Sequence, residues 1–517
     1  MHSSPARVAH PGPAGPSVAV LVELEWNALA GGHLKCWERF AEAAARLGPG
    51  AGTAGGSGDR GDGVPAGAGA DLTVYVLGGR PRVEELSPNV RFVVLRPVVS
   101  SAPLALALGR MDASDLAPYH PALARLLPRH DVWHLTHSFA FAATAVRMAR
   151  RERRSAHRNP GPGRPPGLVG SVHTDVPALT SAYLRQLTDR LHAVPPAAGR
   201  LRPAVPGLGL GPSVSSPAAS RPAPAAARAA SGAGSPGPRS APPAGLPLPP
   251  PGCLSPETLA TGLARHRRDR LLRTCDRVLV STPGERNELA TLLGPDRVFL
   301  FGRGIDHERF RPRPGARDRL ARVHGVPADR TAVVFAGRVD ASKRVMVLAE
   351  AVRRLRDTDR PVHLVVAGTG ADSPRVRALL GPDVTLLGTV PQDRLAEVYA
   401  GCDVLAFPSR SETAGNVVAE AMACGLPAVL PAGARTRRWL EAPGGDGLLV
   451  ADDDAAGWAR ALAVLVDRPE VRTAMGVRAA ETARLHHRSW DRVLREDLLP
   501  HWYAVSPRHR PADRSPV

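Results

Sequence analysis

Short apolar runs separated by helical patterns organise this chain. Residues 17–24 (SVAVLVEL) are continuously apolar and read as a buried first strand. Gly31 and Gly32 follow, and then Leu34, Trp37, Ala41 and Ala44 recur at helical spacing. Strand-like runs return at 72–77, 90–95, 131–135 and 168–172, with a helical stretch at 138–151. After a long irregular stretch the pattern resumes with a helix near 256–275, a strand at 277–281, a helix at 283–293 and a strand at 297–301. Residues 302–330 are rich in turn residues and read as an interdomain hinge. A second series has strands at 331–336, 362–367, 383–387, 403–407, 427–430 and 447–451, with the clearest helices at 343–356 and 416–424. A last helical stretch, 488–503, carries Trp490, Val493, Leu494 and Leu498 as an apolar stripe. Strands alternating with helices predict βαβ units, hence an α/β protein with parallel sheets.

Composition adds the interruptions. The chain has 517 residues, with Gly 51 and Pro 53, about a fifth of the total against a usual ~12%. The excess concentrates at 48–70 and at 194–252. The latter segment contains no Asp, Glu, Lys or aromatic residue. Such a segment buries too little apolar surface to offset its ordering entropy, so both are expected to be flexible insertions. Five cysteines, widely spaced, suit a reducing compartment rather than a disulfide framework. No apolar run reaches the ~18 residues of a membrane span, and the N-terminus has no signal-peptide core. The expected location is the cytoplasm. The net charge of +19 attracts anions in general. With 4% aromatics and no nucleic-acid-binding signature, specific nucleic-acid binding is not expected.

Two strings carry candidate chemistry. PSRSETAGNVVAEAMACGLP (408–427) follows one strand and opens a helix. Ala414, Gly415 and Asn416 form a small-residue turn at a helix N-terminus, where outward N–H groups suit a diphosphate or sugar hydroxyls. Glu412 and Glu420 flank that turn, and Glu420 lies a little over two helical turns beyond Glu412. Gly337-Arg338-Val339-Asp340-Ala341-Ser342-Lys343 follows the strand 331–336. Arg338 and Lys343 at the C-terminal end of a parallel strand are suited to neutralise a leaving diphosphate. His134 and His137 have no third ligand and read as structural, and Asp452-Asp453-Asp454 reads as a solvated loop. No metal site is expected. Arg147, Arg150, Arg151, Arg153, Arg154 and Arg158 crowd one helix end, either as a solvated charge-dense segment or as a peripheral contact with anionic lipid at the inner membrane face.

With Gly302-Arg303-Gly304-Ile305-Asp306 and the first-domain strings Gly31-Gly32-His33 and Ser171-Val172-His173-Thr174-Asp175, these motifs resemble the family-4 retaining glycosyltransferases of the GT-B fold. The resemblance is strongest over 298–451. It implies two Rossmann-like domains with parallel sheets facing a cleft: an acceptor domain at 17–301 and a nucleotide-sugar domain at 302–487. A helix at 488–505 would cross back to the first domain, with flexible tails at 1–16 and 506–517. It implies that Arg338 and Lys343 bind the donor diphosphate and that Glu420 accepts from the ribose hydroxyls. Glu412 would face the donor hexose, with the backbone at Gly337, Ala414, Gly415 and Asn416 around it. His173 would lie over the sugar, and Gly32 would let its loop approach the phosphates. His173, Arg338, Lys343 and Glu412 are the implied catalytic set. The implied reaction moves a hexose from GDP-mannose or a UDP-hexose to a glycan, lipid or small-molecule hydroxyl. It proceeds with retention and without metal or other cofactor. A catalytically inactive binding module and a sugar-nucleotide epimerase of the same fold remain as alternatives. Where the family often carries a bulky residue this chain has Ala414, which leaves the sugar unassigned.

Overall fold

The computed structural model describes residues 15–26, 32–48, 68–103, 114–158, 165–172, 256–412 and 414–509. By contact density the chain divides into two units, 1–176 with 265–517, and 177–264. In the second unit the described part is 256–264, the first turns of the helix Pro256–Leu272. The expected insertion at 194–252 lies outside the described residues, as does most of 48–70.

The first unit contains two sheets. The first has strands β1 (Ser17–Glu25), β2 (Asp71–Leu77), β3 (Arg82–Ser87), β4 (Val90–Leu95), β5 (Val132–Leu135), β6 (Gly167–Val172), β7 (Arg277–Val280) and β8 (Val298–Leu300), in the order β3-β4-β2-β1-β5-β6-β7-β8. The second has β9 (Thr331–Ala336), β10 (Val362–Ala367), β11 (Val384–Gly388), β12 (Val404–Ala406), β13 (Ala428–Pro431) and β14 (Gly447–Val450), in the order β11-β10-β9-β12-β13-β14. Every residue of β9 and β10 is buried. Helices cover both faces of a parallel sheet, so its central strands are continuously apolar, which made them visible in the sequence.

Among the described strands all pairings are parallel except one. β3 runs antiparallel to β4, with Arg82 opposite Val94 and Glu84 opposite Phe92. The two parallel sheets expected from the sequence are present, and the first carries one antiparallel edge strand besides. Five of the six β3 residues are exposed, and charge along an edge strand discourages pairing with other chains. The segment 302–330, rich in turn residues, contains the helix Ala316–His324. Ala316 and Leu320 are the residues it buries.

In each sheet the strand order reverses beside one central strand, at β1/β5 in the first and at β9/β12 in the second. At such switch points the connections leave in opposite directions and open a crevice at the strands' carboxyl ends.

The end of the chain packs on the first sheet. Ser489 caps the helix start by accepting from the Arg492 N–H (3.2 Å). Helical turns then run through Trp490–Val493, a π-helical turn at Leu494–Leu498, and Leu499–Val505. Trp490, Val493, Leu494, Leu498 and Trp502 join one core with Val18, Val20, Trp37 and Phe40. Trp502 Nε1 donates to His134 Nδ1 (3.0 Å), and His134 Nε2 meets Ser171 Oγ (2.8 Å). His134 is thus a buried structural residue, and burial pushes its imidazole down to about 3. Gly304 is required by this docking. A Cβ there would sit 2.5 Å from the backbone of Trp490.

Candidate active site

The two chemical strings flank the switch point of the second sheet. Residues 337–343 follow β9, and 407–416 follow β12, its neighbour across the reversal. Asp340 caps the 3-10 turn Ala341–Lys343, its carboxylate accepting from the Lys343 N–H (3.2 Å) and the Ser342 hydroxyl (2.5 Å). Arg338 Nε lies 3.4 Å from Asp340 Oδ2. Ser411 Oγ donates to the Ser342 carbonyl (3.2 Å) and ties the two loops together. Lys343 Nζ donates to Glu412 Oε1, so three of the expected site residues (Arg338, Lys343 and Glu412) lie around one turn.

Gly415 starts the helix Asn416–Ala423 in the left-handed region, at φ 63°. A Cβ at this position would lie 2.4 Å from Thr436 Cγ2, so both conformation and space call for glycine. The preceding carbonyl of Ala414 accepts from Trp439 Nε1 (2.7 Å), which fixes the turn from behind. Asn416 Oδ1, Thr436 Oγ1 and Ser409 Oγ are buried polar atoms without a hydrogen-bond partner among the described residues. Of these, Asn416 Oδ1 and Thr436 Oγ1 adjoin Gly415, and buried polar atoms are ordinarily satisfied.

Glu420 is placed differently from Glu412. It is buried rather than paired at the surface, with 9% of its area exposed. Burial pushes its carboxyl up to about 7, opposed by Arg39, Lys35, Arg309 and a hydrogen bond with Gln392. Arg39 Nη2 in turn donates to Gln392 Oε1 (3.2 Å). Glu420 is therefore linked through Gln392 to the helix Gly32–Leu47, which packs on the first sheet. Sequence reading missed Gln392 and Arg39, because 353 residues separate them and neither belongs to a motif.

Other side-chain contacts join the structures built on the two sheets. Arg303 is buried and donates to Cys36 Sγ. Arg438 donates to the Ser281 carbonyl (3.0 Å), and Arg435 pairs with Glu285 (2.8 Å). Burial pushes the Arg438 guanidinium down to about 10, helped by repulsion from Arg303. Gly32 begins its helix with open space where a Cβ would stand. The adjacent His33 ring lies 4.2 Å from that of His137. His173 falls outside the described residues.

Within the acidic run at 452–454, Asp452 and Asp454 are exposed in a loop as expected, and Asp453 departs from that expectation. Asp453 has 5% side-chain exposure and accepts from Arg344 Nη1 (2.6 Å), Arg410 Nε (2.5 Å) and Trp458 Nε1 (2.6 Å). Arg344, itself left-handed at φ 57°, also donates to the Pro408 carbonyl (3.1 Å). Asp453 thereby clamps both chemical loops. Asp454 caps the helix Ala455–Asp467.

The family model of the glycosyl transferases group 1 matches residues 330–468, which span β9 to the end of the helix Ala455–Asp467. A D-inositol 3-phosphate glycosyltransferase of Kineococcus radiotolerans is 37% identical over 238 residues, covering 42% of this chain and 54% of that one. One of the same name from Stackebrandtia nassauensis is 35% identical over 271 residues, covering 48% and 59%. The chain thus spans little more than half the length of the curated relatives it matches. Among solved structures, sucrose-phosphate synthase from Thermosynechococcus elongatus superposes with a TM-score of 0.57 at 17% identity, covering 92% of this chain and 96% of that one. Anabaena HepE in complex with UDP-glucose gives 0.54 at 13% identity, covering 93% and 97%. The architecture is that of the GT-B glycosyltransferases, two Rossmann-like halves with the last helix returning to the first.

Proposed function

We propose that this chain, which carries the glycosyl transferases group 1 module over residues 330–468, transfers a hexose from a nucleotide-diphosphate sugar to an acceptor hydroxyl. The observation that carries this reading is the convergence of Arg338, Lys343, Glu412 and the Gly415–Asn416 helix start on one topological switch point. Cations and helix N–H groups at that crevice suit a diphosphate. Carboxylates beside it suit sugar hydroxyls, which donate. GDP-mannose and UDP-hexoses are both within this chemistry.

In the proposed reaction the acceptor hydroxyl attacks the anomeric carbon from the face the diphosphate leaves. The bond from carbon to phosphate oxygen breaks as the bond from carbon to acceptor oxygen forms. The acceptor proton passes to the departing phosphate oxygen, and configuration is retained. Arg338 and Lys343 stabilise the charge that develops on the leaving group, without a metal. Glu420 accepts from the ribose hydroxyls, Glu412 from the hexose, and the turn Ala414–Asn416 holds the distal phosphate. The first sheet's crevice receives the acceptor, and His173 is assigned to the face above the sugar. Enclosure between the two halves excludes water, which would otherwise hydrolyse the donor.

A thermal-shift series of nucleoside diphosphates tests the reading, because a ligand that binds only the native state raises the melting temperature. GDP or UDP is expected to raise it, and the matching nucleotide sugar to be turned over. A flat response to every nucleoside diphosphate would overturn the proposal.

A further inference from the structure

The helix Ala140–Arg158 begins at the first sheet's switch point and runs away from it for about 28 Å. Its N-terminus is already occupied by a side chain of the fold. The Glu23 carboxylate accepts from the backbone N–H of Phe139 (2.9 Å) and of Phe141. Beyond that point a trough of about 1050 Å³ follows the helix from Ser138 to Arg158. Arg147, Arg150, Arg151, Arg154 and Arg158 form one wall, a single stripe at helical spacing. Arg267 and Arg270, from the end of the helix Pro256–Leu272, contribute to the other.

Two of these arginines have structural duties. Arg150 donates to Thr274 Oγ1 (2.9 Å), and Arg147 lies 5.5 Å from the Tyr119 ring centre. Among the described residues, no ion pair engages Arg151, Arg154, Arg158 or Arg270, Arg267 acts electrostatically on the buried Glu23 carboxyl, and no carboxylate lines the trough. Like charges crowded on one helix face cost stability. Their arrangement as a trough gives each guanidinium a direction from which a phosphate can take two parallel hydrogen bonds.

We propose that this trough is a polyanion site that holds the phosphate-bearing part of an elongated acceptor, whose reacting hydroxyl lies at the first-sheet crevice. The assignment of the ligand as acceptor rests on the transferase reading above. A row of several phosphate groups fits because the cations are spread along the trough rather than gathered at one point. The concave shape selects a narrow chain over a flat bilayer, whose headgroups meet protruding cations. Among the described residues no aromatic side chain lines the trough, so it offers no stacking platform for bases.

The test is calorimetric binding of short-chain inorganic polyphosphate to the full chain. Arg151→Glu/Arg154→Glu/Arg158→Glu on one wall and Arg267→Glu/Arg270→Glu on the other are compared with wild type. All five positions are exposed, so both variants should fold. Each is expected to weaken binding at least tenfold, and wild-type binding should fall steeply as salt rises. Equal affinity in wild type and both variants overturns the proposal. So does sedimentation with anionic vesicles without binding of soluble polyphosphate, which would make the patch a membrane surface. The nucleoside-diphosphate thermal shift reads the donor side separately. Its failure in wild type overturns the transferase reading, while polyphosphate binding still decides the trough.

Discussion

Lys343 and Glu412 are partners of one another across the mouth of the second-sheet crevice, with 13% and 26% of their side chains exposed. The cation assigned to the diphosphate and the carboxylate assigned to the hexose therefore share one local field. A bound donor sugar must accept from Lys343 and donate to Glu412 in a coordinated way.

Lys343→Ala is expected to lower kcat/KM by about 10²-fold, and Arg338→Ala similarly, through lost stabilisation of the leaving diphosphate. The fold should survive, since both side chains lie at a loop. Steady-state donor consumption measures this, and wild-type turnover from a folded double variant would remove the pair from the mechanism.

Glu420 gives a pH-dependent stability. Its folded carboxyl titrates near 7 rather than 4.5, so the folded state holds a proton that the unfolded state releases. Stability from this group is present in full below about pH 4.5 and is lost as pH rises through about 7. Glu420→Gln stays neutral and escapes the loss. The variant should melt above wild type at pH 8, by a margin on the order of 3 kcal/mol, shrinking toward pH 4.5. Thermal melts across that range measure it. The same variant should raise KM for the donor, because an amide accepts ribose hydroxyls more weakly than a carboxylate.

What the sequence disclosed follows from which forces are local. β9 and β10 were legible to the residue because burial on both faces leaves an unbroken apolar run. β3 was not, because RVEELS pairs through its backbone alone at an exposed edge. The helix Ala316–His324 was hidden because Arg, Asp and His surround its two buried positions. The strings at 337–343 and 408–427 were legible because their parts are contiguous. The link from Arg39 through Gln392 to Glu420 was not, since only the folded chain brings them together. Asp453 was misjudged for a related reason. Its partners Arg344 and Arg410 come from loops 109 and 43 residues away.

Chelation provides a third prediction. Fixed cationic groups at the diphosphate site should leave donor turnover unchanged in EDTA. Complete loss of turnover, restored by Mg²⁺ or Mn²⁺, would show that an ion and not Arg338 and Lys343 carries the leaving-group charge.

The last helix provides a fourth. Trp502 is fully buried and donates to His134. Trp502→Ala should cost about 3–5 kcal/mol. Trp502→Phe retains the ring but strands the His134 acceptor, for about 1–3 kcal/mol. Urea denaturation followed by fluorescence orders the three proteins. A Phe variant as stable as wild type would mean that the His134 contact contributes nothing.

The docking of Trp490–Val505 onto the first sheet also has a temporal side. β8 ends at Leu300, so the whole first sheet leaves the ribosome about 190 residues before Trp490 does. At ~5–20 residues per second that interval is roughly 10–40 s. Throughout it Val18, Val20, Trp37 and Phe40 await the side chains that complete their core. The nascent first half is thus a sticky intermediate by construction, and it becomes a finished domain only after the whole second sheet has been made.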